Sequence, residues 1–485
     1  MSSKERNGLN RFKKMCMVTL LAAGMLMGVA GGAKAVEFKA KGEWLVGFGV
    51  GDGNLSKYTK DKDGNKTKTN DQDQFGASQR VRLQLDAVAS EALSGTVFFE
   101  MGDTTWGQAA NSRGVAQGGA LGADGTIVEV KNAYIDWIVP QTDLKFRMGI
   151  QGMALPSFTT GSNVFNDDVA GITASYQFNE NVGVTALWAR PYNDNYTNSV
   201  DHAGSRTNYM DNMDVFALLV PMTFDGVKVT PWAMYGMVGK NALKGAWNDD
   251  INNYDAIGTR DGNPRFTLRP YPGIRGTDQI GSTGNDYGTA FWAGLPLAIT
   301  LWDPLNIELD INYGYMQGMG RFDAVKNGVT KRSSTERQGW LAKALVEYKL
   351  DWGVPGIFGW YASGDDGNPK NGSQRMPSIV PTGNFTSFLG DGNMGWLRQD
   401  YGVDYSGTWG IGAQLKDMSF LEDLKHTFRV AYWGGTNSPS MVKYMDHSNA
   451  WDSTSNMFDG PYMTTNDGLL EFNVISTYKI YDNLE

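Results

Sequence analysis

The chain has 485 residues, with 61 glycines, 12% aromatic residues and only 20% charged residues. The mean hydropathy of -0.36 excludes a bundle of membrane helices, because each such helix needs about 20 mostly apolar residues. The formal net charge of -9 at pH 7 makes nucleic acid a poor partner.

The first elements in chain order predict a cleaved signal peptide over residues 1–35. The segment begins with basic residues, continues with an apolar stretch from Met15 to Ala30, and ends on the small-x-small pattern Ala33-Lys34-Ala35. The alternative is a membrane anchor, but the apolar stretch is short for one. We therefore predict that residues 36–485 form the mature chain, as one transmembrane β-barrel domain.

The only cysteine, Cys16, lies within this signal segment. The mature chain therefore has no thiol for a disulfide or a cysteine-based metal site. Removing the segment makes the chain more acidic, because it takes away six Lys or Arg and one acid.

Strict alternation of apolar and polar residues predicts β-strands along the mature chain. Between residues 37 and 50, Phe38, Trp44 and Val46 share one parity, while Lys39 and Lys41 share the other. A period of two is typical of a strand with one apolar and one wet face. The same pattern recurs at 81–87, 305–315, 340–348 and 470–480.

The connections between these strands alternate between short and long. Short turns are predicted at 90–94, 140–143, 179–181, 223–226, 302–304, 350–355 and 417–423. Long polar loops are predicted at 51–74, 107–125, 152–168, 191–212, 239–285, 317–336, 364–404 and 434–467. Short periplasmic turns and long extracellular loops are typical of an outer-membrane barrel, here an all-β antiparallel barrel of about sixteen visible strands. A soluble β-sandwich or propeller has no reason to place its long loops on one edge.

Tryptophans are predicted to form girdles at the two membrane interfaces, because many lie near strand ends or on apolar parities. These are Trp137, Trp188, Trp232, Trp302, Trp340, Trp360 and Trp409. The simpler interpretation is the general preference of aromatic residues for strands.

The C-terminal residues are predicted to be a turn followed by the start of a further strand. Residues 478–484 repeat the layout of 176–182, in which one strand ends and the next begins. We therefore expect the sequence to be truncated, with about 16 to 18 strands in the complete protein.

Three strand segments carry a resemblance to a known family: residues 36–44 (VEFKAKGEW), 80–85 (RVRLQL) and 130–137 (VKNAYIDW). In this order they make the chain similar to the homotrimeric outer-membrane porins of sulfate-reducing bacteria. The resemblance implies a trimer in the bacterial outer membrane, surrounded by lipid and lipopolysaccharide. It also implies a water-filled pore for passive diffusion of small hydrophilic solutes and ions. The missing terminal strand departs from the family pattern.

Charged residues on the inward parity are the candidate pore lining, because a cation facing lipid near the midplane costs about 2–4 kcal/mol. In general porins the third outer loop, here 153–168, narrows the pore. We predict a constriction in which Arg80, Arg82, Lys145 and Arg147 face Asp167 and Asp168, with Tyr134 and Asp136 at the same level. The alternative is that these are ordinary wet side chains without a constriction.

Enzymatic, metal and cofactor sites are not expected. The chain has no H-E-x-x-H, G-x-S-x-G or P-loop motif. The segment 61–65 resembles the start of a calcium loop but has Lys66 where glycine is needed.

Two other functions remain open. A substrate-specific channel is one, in which the aromatics Tyr134 and Tyr361 would guide the solute. The other is a non-conducting adhesin or structural barrel whose long loops bind partners.

Overall fold

In the computed structural model, the described residues are 36–52, 58–60, 66–68, 73–107, 128–193, 212–239, 287–318, 321–326, 329–383, 385–386, 405–444 and 462–484. The predicted signal peptide, 1–35, lies outside them and remains a prediction. Within these ranges, no helix is long and apolar enough to cross a membrane.

The described residues are organised almost entirely as strands. In chain order these are β1 (Glu37–Asp52), β2 (Tyr58–Lys60), β3 (Lys66–Lys68), β4 (Asp73–Ser90), β5 (Leu93–Thr105), β6 (Glu129–Ile138), β7 (Lys145–Ala154), β8 (Asn166–Gln177), β9 (Gly183–Asn193), β10 (Asn212–Leu219), β11 (Met222–Phe224), β12 (Val227–Val229), β13 (Trp232–Gly239), β14 (Tyr287–Ile299), β15 (Leu305–Met316), β16 (Arg321–Lys326), β17 (Val329–Ser334), β18 (Arg337–Tyr348), β19 (Val354–Ala362), β20 (Thr408–Leu421), β21 (Leu424–Gly435) and β22 (Gly468–Tyr478). Two short 3-10 helices cover Pro369–Asn371 and Met441–Tyr444.

One antiparallel sheet of 18 strands forms the wall of a barrel. Neighbours in sequence pair in order, from β1 with β4 to β21 with β22. Because β11 continues β10 and β12 continues β13 across short breaks, the wall has sixteen long strands, which confirms the predicted number. The two edges are β1 and β22, and no ladder joins them within the described residues.

The wall has an outer and an inner face, as the alternation predicts. In β18, Leu341 and Lys343 are buried inside, whereas Trp340 is exposed on the other face. Large apolar side chains are exposed along the outer parity of many strands, for example Phe216 on β10 and Ile411 on β20. An apolar outer band is what a membrane-spanning barrel presents to lipid.

The turns lie at the predicted places, although strand residues extend into several of the predicted ranges. Strand β20 continues to Leu421, so the last predicted turn, 417–423, is reduced to two residues before β21 begins. The predicted loops also contain strands of their own, because β2 with β3 and β16 with β17 form separate hairpins.

The tryptophan girdle is only partly confirmed. Trp137, Trp302 and Trp340 are exposed on the outer side or at a turn. Trp232 and Trp360 are buried on the inner side, so their assignment to a girdle is wrong. Apolar strand residues on the inner face have to be covered by something other than lipid.

The core of the molecule lies inside the barrel. Met213 and Val215 on β10 and Met234 on β13 are buried, although they face the lumen. They form one apolar cluster with residues of loops that fold inward, including Phe165 and Ile379. Burial of this surface stabilises those loops by about 25 cal/mol for each Å² of apolar area.

Candidate pore constriction

The third outer loop, residues 155–165 between β7 and β8, leaves the wall and crosses the lumen; we call it L3. Its residues Ser157 and Thr159 reach Asp310 on β15, six strands further round the wall. Leu155 and Phe165, at the two ends of the loop, are buried in the apolar cluster. The inward fold of the third loop therefore agrees with the expectation from sequence, over a shorter segment than 153–168.

Asp310 holds the tip of L3 from the far wall. Its carboxylate accepts hydrogen bonds from the Ser157 hydroxyl at 2.7 Å, the Phe158 amide at 3.2 Å and the Thr159 amide at 3.1 Å, and also from the Thr159 hydroxyl. Asp310 is only 1% exposed. A buried carboxylate with four donors is well satisfied.

Lys343 on β18 completes this attachment, and we call Asp310 and Lys343 the latch. The two are directly opposite in the β15–β18 ladder, with Nζ 3.5 Å from the Asp310 carboxylate. Lys343 also donates to the Thr160 hydroxyl at 2.6 Å and the Gly161 carbonyl at 3.1 Å. It is 2% exposed. Each buried charge is thus neutralised by the other, as burial of a charge requires.

Another outer loop, between β19 and β20, also folds inward. We call its described residues, 363–383 and 385–386, L7. Main-chain hydrogen bonds join it to L3. The Ile379 amide donates to the Val164 carbonyl at 2.8 Å, and the Thr382 amide donates to the Ser162 carbonyl at 2.7 Å. L3 and L7 are therefore one packed unit, which we call the plug.

The wall fastens L7 at two buried side chains. Arg337 on β18 donates to the carbonyls of Arg375 at 3.0 Å and Met376 at 2.8 Å. The Trp292 indole on β14 donates to the Pro377 carbonyl at 2.9 Å, and this side chain is 0% exposed. These bonds satisfy main-chain carbonyls of the inward-folded loop.

Within L7, Asp365 organises the turn. It accepts hydrogen bonds from the Ser373 hydroxyl at 2.6 Å, the Gln374 amide at 3.0 Å and the Tyr462 hydroxyl at 2.6 Å. Burial raises the pKa of the Asp365 carboxyl above its ordinary value, and the nearby Arg375 and these donors offset only part of that effect.

Acidification is expected to stabilise this turn. Because the pKa of Asp365 is raised in the folded protein, the folded state binds more protons as the pH falls from above that pKa toward the ordinary value of 3.8. The Gln374 amide should therefore exchange its hydrogen more slowly at the acidic end of this window, after correction for intrinsic rates. Asp365→Asn should remove this pH dependence, whereas Asp366→Asn, at the exposed neighbour, should keep it. An unchanged pH dependence in Asp365→Asn would contradict the assignment.

The plug covers one side of the lumen and leaves another side accessible. Inner residues of β10, β13, β14 and β18 are buried beneath it, such as Met213 and Leu341. On β4 and β7 the inner side chains keep contact with solvent, for example Arg82 at 22% and Arg147 at 33%. Within the described residues, the wetter path therefore follows the wall from β4 to β7.

The predicted cations on β4 and β7 lie on this path, paired with acids of neighbouring strands. Arg82 donates from Nε to Glu100 at 2.5 Å and lies 3.7 Å from Glu43. Arg80 lies on the same parity of β4, two residues earlier.

On β7, Arg147 donates two hydrogen bonds of 2.8 Å to Asp136 and lies over the Tyr134 ring at 4.1 Å. Lys145 lies 3.8 Å from the same carboxylate. The structure thus brings Tyr134, Asp136, Lys145 and Arg147 together in one cluster.

The two predicted acids of the third loop are in a different environment. Asp168 bonds with Lys131 and with the Asn132 amide at 2.7 Å, and its ion pair is with Lys131 rather than with Arg82, Lys145 or Arg147. It shares the strand parity of Ile172, which is exposed on the outer face. Asp167 has the opposite parity and accepts a hydrogen bond from the Asp168 amide at 2.7 Å.

Sequence reasoning missed the residues that hold the plug. Asp310 and Lys343 lie on the polar parity of the segments 305–315 and 340–348, and their opposite charges on neighbouring strands were a usable signal. The expectation that both Tyr134 and Tyr361 guide a solute inside the channel is wrong for Tyr361. This residue stacks on the outward Trp340 with ring centres 5.2 Å apart. Trp360, one residue earlier, faces inward instead. Within the described ranges, no group of three or more potential metal ligands occurs.

No family model and no characterised protein sequence matches the chain. Solved structures with a similar strand layout include OmpT, an outer membrane protein of Vibrio cholerae (11% identity, 93% of this chain and 98% of that chain, TM-score 0.41). OprB of Pseudomonas putida is similar at 9% identity, with 91% and 94% covered and a TM-score of 0.41. An anion-selective porin from Comamonas acidovorans is similar at 8% identity, with 90% and 99% covered and a TM-score of 0.41.

Proposed function

We propose that this chain is a porin of the bacterial outer membrane, which forms a water-filled channel for passive diffusion of small hydrophilic solutes and ions. The observation that carries the proposal is that L3 crosses the lumen and is held on the far wall by Asp310 and Lys343. A loop anchored in this way narrows a channel without filling all of it. The apolar outer band supports placement in lipid.

The proposed channel passes the charged cluster on β6 and β7 and the arginines on β4. Its lining residues are Arg80, Arg82, Tyr134, Asp136, Lys145, Arg147 and Asp167. Asp168 pairs with Lys131, so Asp167 is the one of the two predicted loop acids that stays in the proposed lining. The other acids along the channel are those that pair with its cations. Charged groups around a narrow path select solutes by sign and size.

The environment and assembly belong to the same proposal. The strand motifs similar to porins of sulfate-reducing bacteria support a homotrimer, surrounded by outer-membrane lipid and lipopolysaccharide. A trimer would migrate as a large band on an unboiled gel and as a monomer after boiling. No enzymatic activity is proposed.

Planar-bilayer recordings test the channel. The wild-type protein should give stepwise conductance, and Arg80→Gln with Arg82→Gln should shift ion selectivity toward cations, because two positive charges leave the lumen. The matched control is Lys425→Gln, a cation on β21 that is exposed near a turn. A protein that folds and inserts but does not conduct would contradict the channel and favour the adhesin or structural barrel.

A further inference from the structure

A cleft in the inner wall directly below L3 has an unusual order of side chains. Its volume is about 270 Å³, slightly below the range of about 300–1,000 Å³ typical of drug-sized ligand pockets. Strands β7, β8, β9 and β10 form its floor, and Met153, two residues before L3, is part of its lining. It opens beside the wetter path described above.

The chemistry of the cleft changes from one end to the other along the ladder of the sheet. Lys145 is opposite Ser175, Ser175 is opposite Thr185, and Thr185 is opposite Leu219. These four residues form one row across the strands, which passes from a cation through two hydroxyls to an apolar side chain.

A second row repeats this order beside the first. Arg147 is opposite Thr173, and Thr173 is opposite Leu187. Because both rows have this order, the change from cationic to apolar side chains is a property of the whole surface of the cleft. This surface extends over four neighbouring strands of the wall.

The cationic end keeps an excess of positive charge. Asp136 accepts both hydrogen bonds from Arg147, while Lys145 stands 3.8 Å from the same carboxylate and is 48% exposed in its side chain. One carboxylate thus faces two cations, so a second carboxylate can approach Lys145 from the lumen. Opposite charges at this distance attract even in a solvated site.

The middle and far parts of the cleft can accommodate the rest of such a solute. The Ser175 and Thr185 hydroxyls lie 2.9 Å apart and hydrogen-bond to each other, and either can also bond to a solute hydroxyl. Leu187 and Leu219 are buried side chains at the other end.

From this arrangement we infer that the cleft is a binding site for small amphiphilic carboxylates, such as single-ring or short-chain acids. The carboxylate binds Lys145 and Arg147, and the apolar part lies on Leu187, Leu219 and Met153. This inference deepens the proposed function and rests on it for its role in transport. It assigns a preferred solute class to a channel that otherwise selects by sign and size.

Block of the channel by benzoate tests the inference, with acetate and benzyl alcohol as comparison solutes. Benzoate should reduce ion current saturably, whereas acetate lacks the ring and benzyl alcohol lacks the charge, so both should act more weakly. Lys145→Gln should raise the half-blocking benzoate concentration about two- to fivefold, the range for a solvated ion pair. Lys416→Gln, which removes a lumen cation from the opposite wall, should leave it unchanged.

Calorimetric titration of benzoate into the detergent-folded protein separates this inference from the channel itself. Binding that weakens in Lys145→Gln, without conductance in bilayers, would overturn the porin and keep the site. Conductance with no benzoate binding, or with equal binding in Lys145→Gln and Lys416→Gln, would overturn the site alone. Equal block by acetate and benzoate would also overturn it.

Discussion

Replacement of Asp310 by alanine is expected to release L3 from the far wall and to increase single-channel conductance. Lys343 would then be a buried charge without its partner, at a cost of about 3–5 kcal/mol. The three L3 residues that donate to Asp310 would lose their acceptor at the same time. A penalty of this size shifts the docked-to-released equilibrium of the loop by roughly two to four orders of magnitude.

Two further variants distinguish release of the loop from general damage. Asn312→Ala changes another buried inward residue of the same strand and should keep wild-type conductance. Asp310→Ala with Lys343→Met leaves no unpaired charge, so its conductance should lie between that of the single variant and that of the wild type. Wild-type conductance in Asp310→Ala would show that the latch does not hold L3.

Replacement of Trp292 by alanine is expected to loosen L7. The indole is fully buried and donates to the Pro377 carbonyl, and loss of a buried tryptophan costs about 3–5 kcal/mol. The barrel wall does not depend on this contact, so the loop should respond before the strands do. Limited proteolysis should cleave L7 faster than in the wild type, with little change in β-sheet content by circular dichroism.

Trp352→Ala is the matched control, because this tryptophan is 57% exposed in the turn between β18 and β19. It removes the same side chain without creating a cavity. Equal cleavage rates in both variants would mean that Trp292 does not support L7.

The wall could be predicted from sequence because its signal is local. In β15 apolar and polar residues alternate from Leu305 to Tyr313, and the period alone assigns each face. The short turns followed for the same reason, apart from the extension of β20 to Leu421.

The plug could not be predicted in the same way, because its contacts join residues far apart in the chain. The Asn166 side chain donates to the hydroxyl of Thr382, which lies 216 residues later in the chain. No pattern within either segment indicates this partner. One signal was available. From Val215 to Leu219, strand β10 is apolar on both faces, which a water-filled lumen does not explain and a covering loop does.

In the candidate site, too, some contacts could be predicted from the sequence and others could not. The grouping of Asp136, Lys145 and Arg147 follows from neighbouring strands with known parity. The environment of Asp168 does not, because a register shift in the β5–β6 ladder near Lys131 decides which side chains meet it. Such irregularities arise from local backbone fit, and alternation alone does not locate them.

The bonds between L3 and L7 also set an order of events during biogenesis. L3 is synthesised more than two hundred residues before its partner on L7, so it cannot reach its final position until most of the wall has been made. Contacts of such long sequence separation form late in folding. A barrel whose wall pairs before L7 docks would therefore have a wider opening than the finished molecule. In the outer membrane that we propose for this chain, slow docking of L7 would prolong that open state.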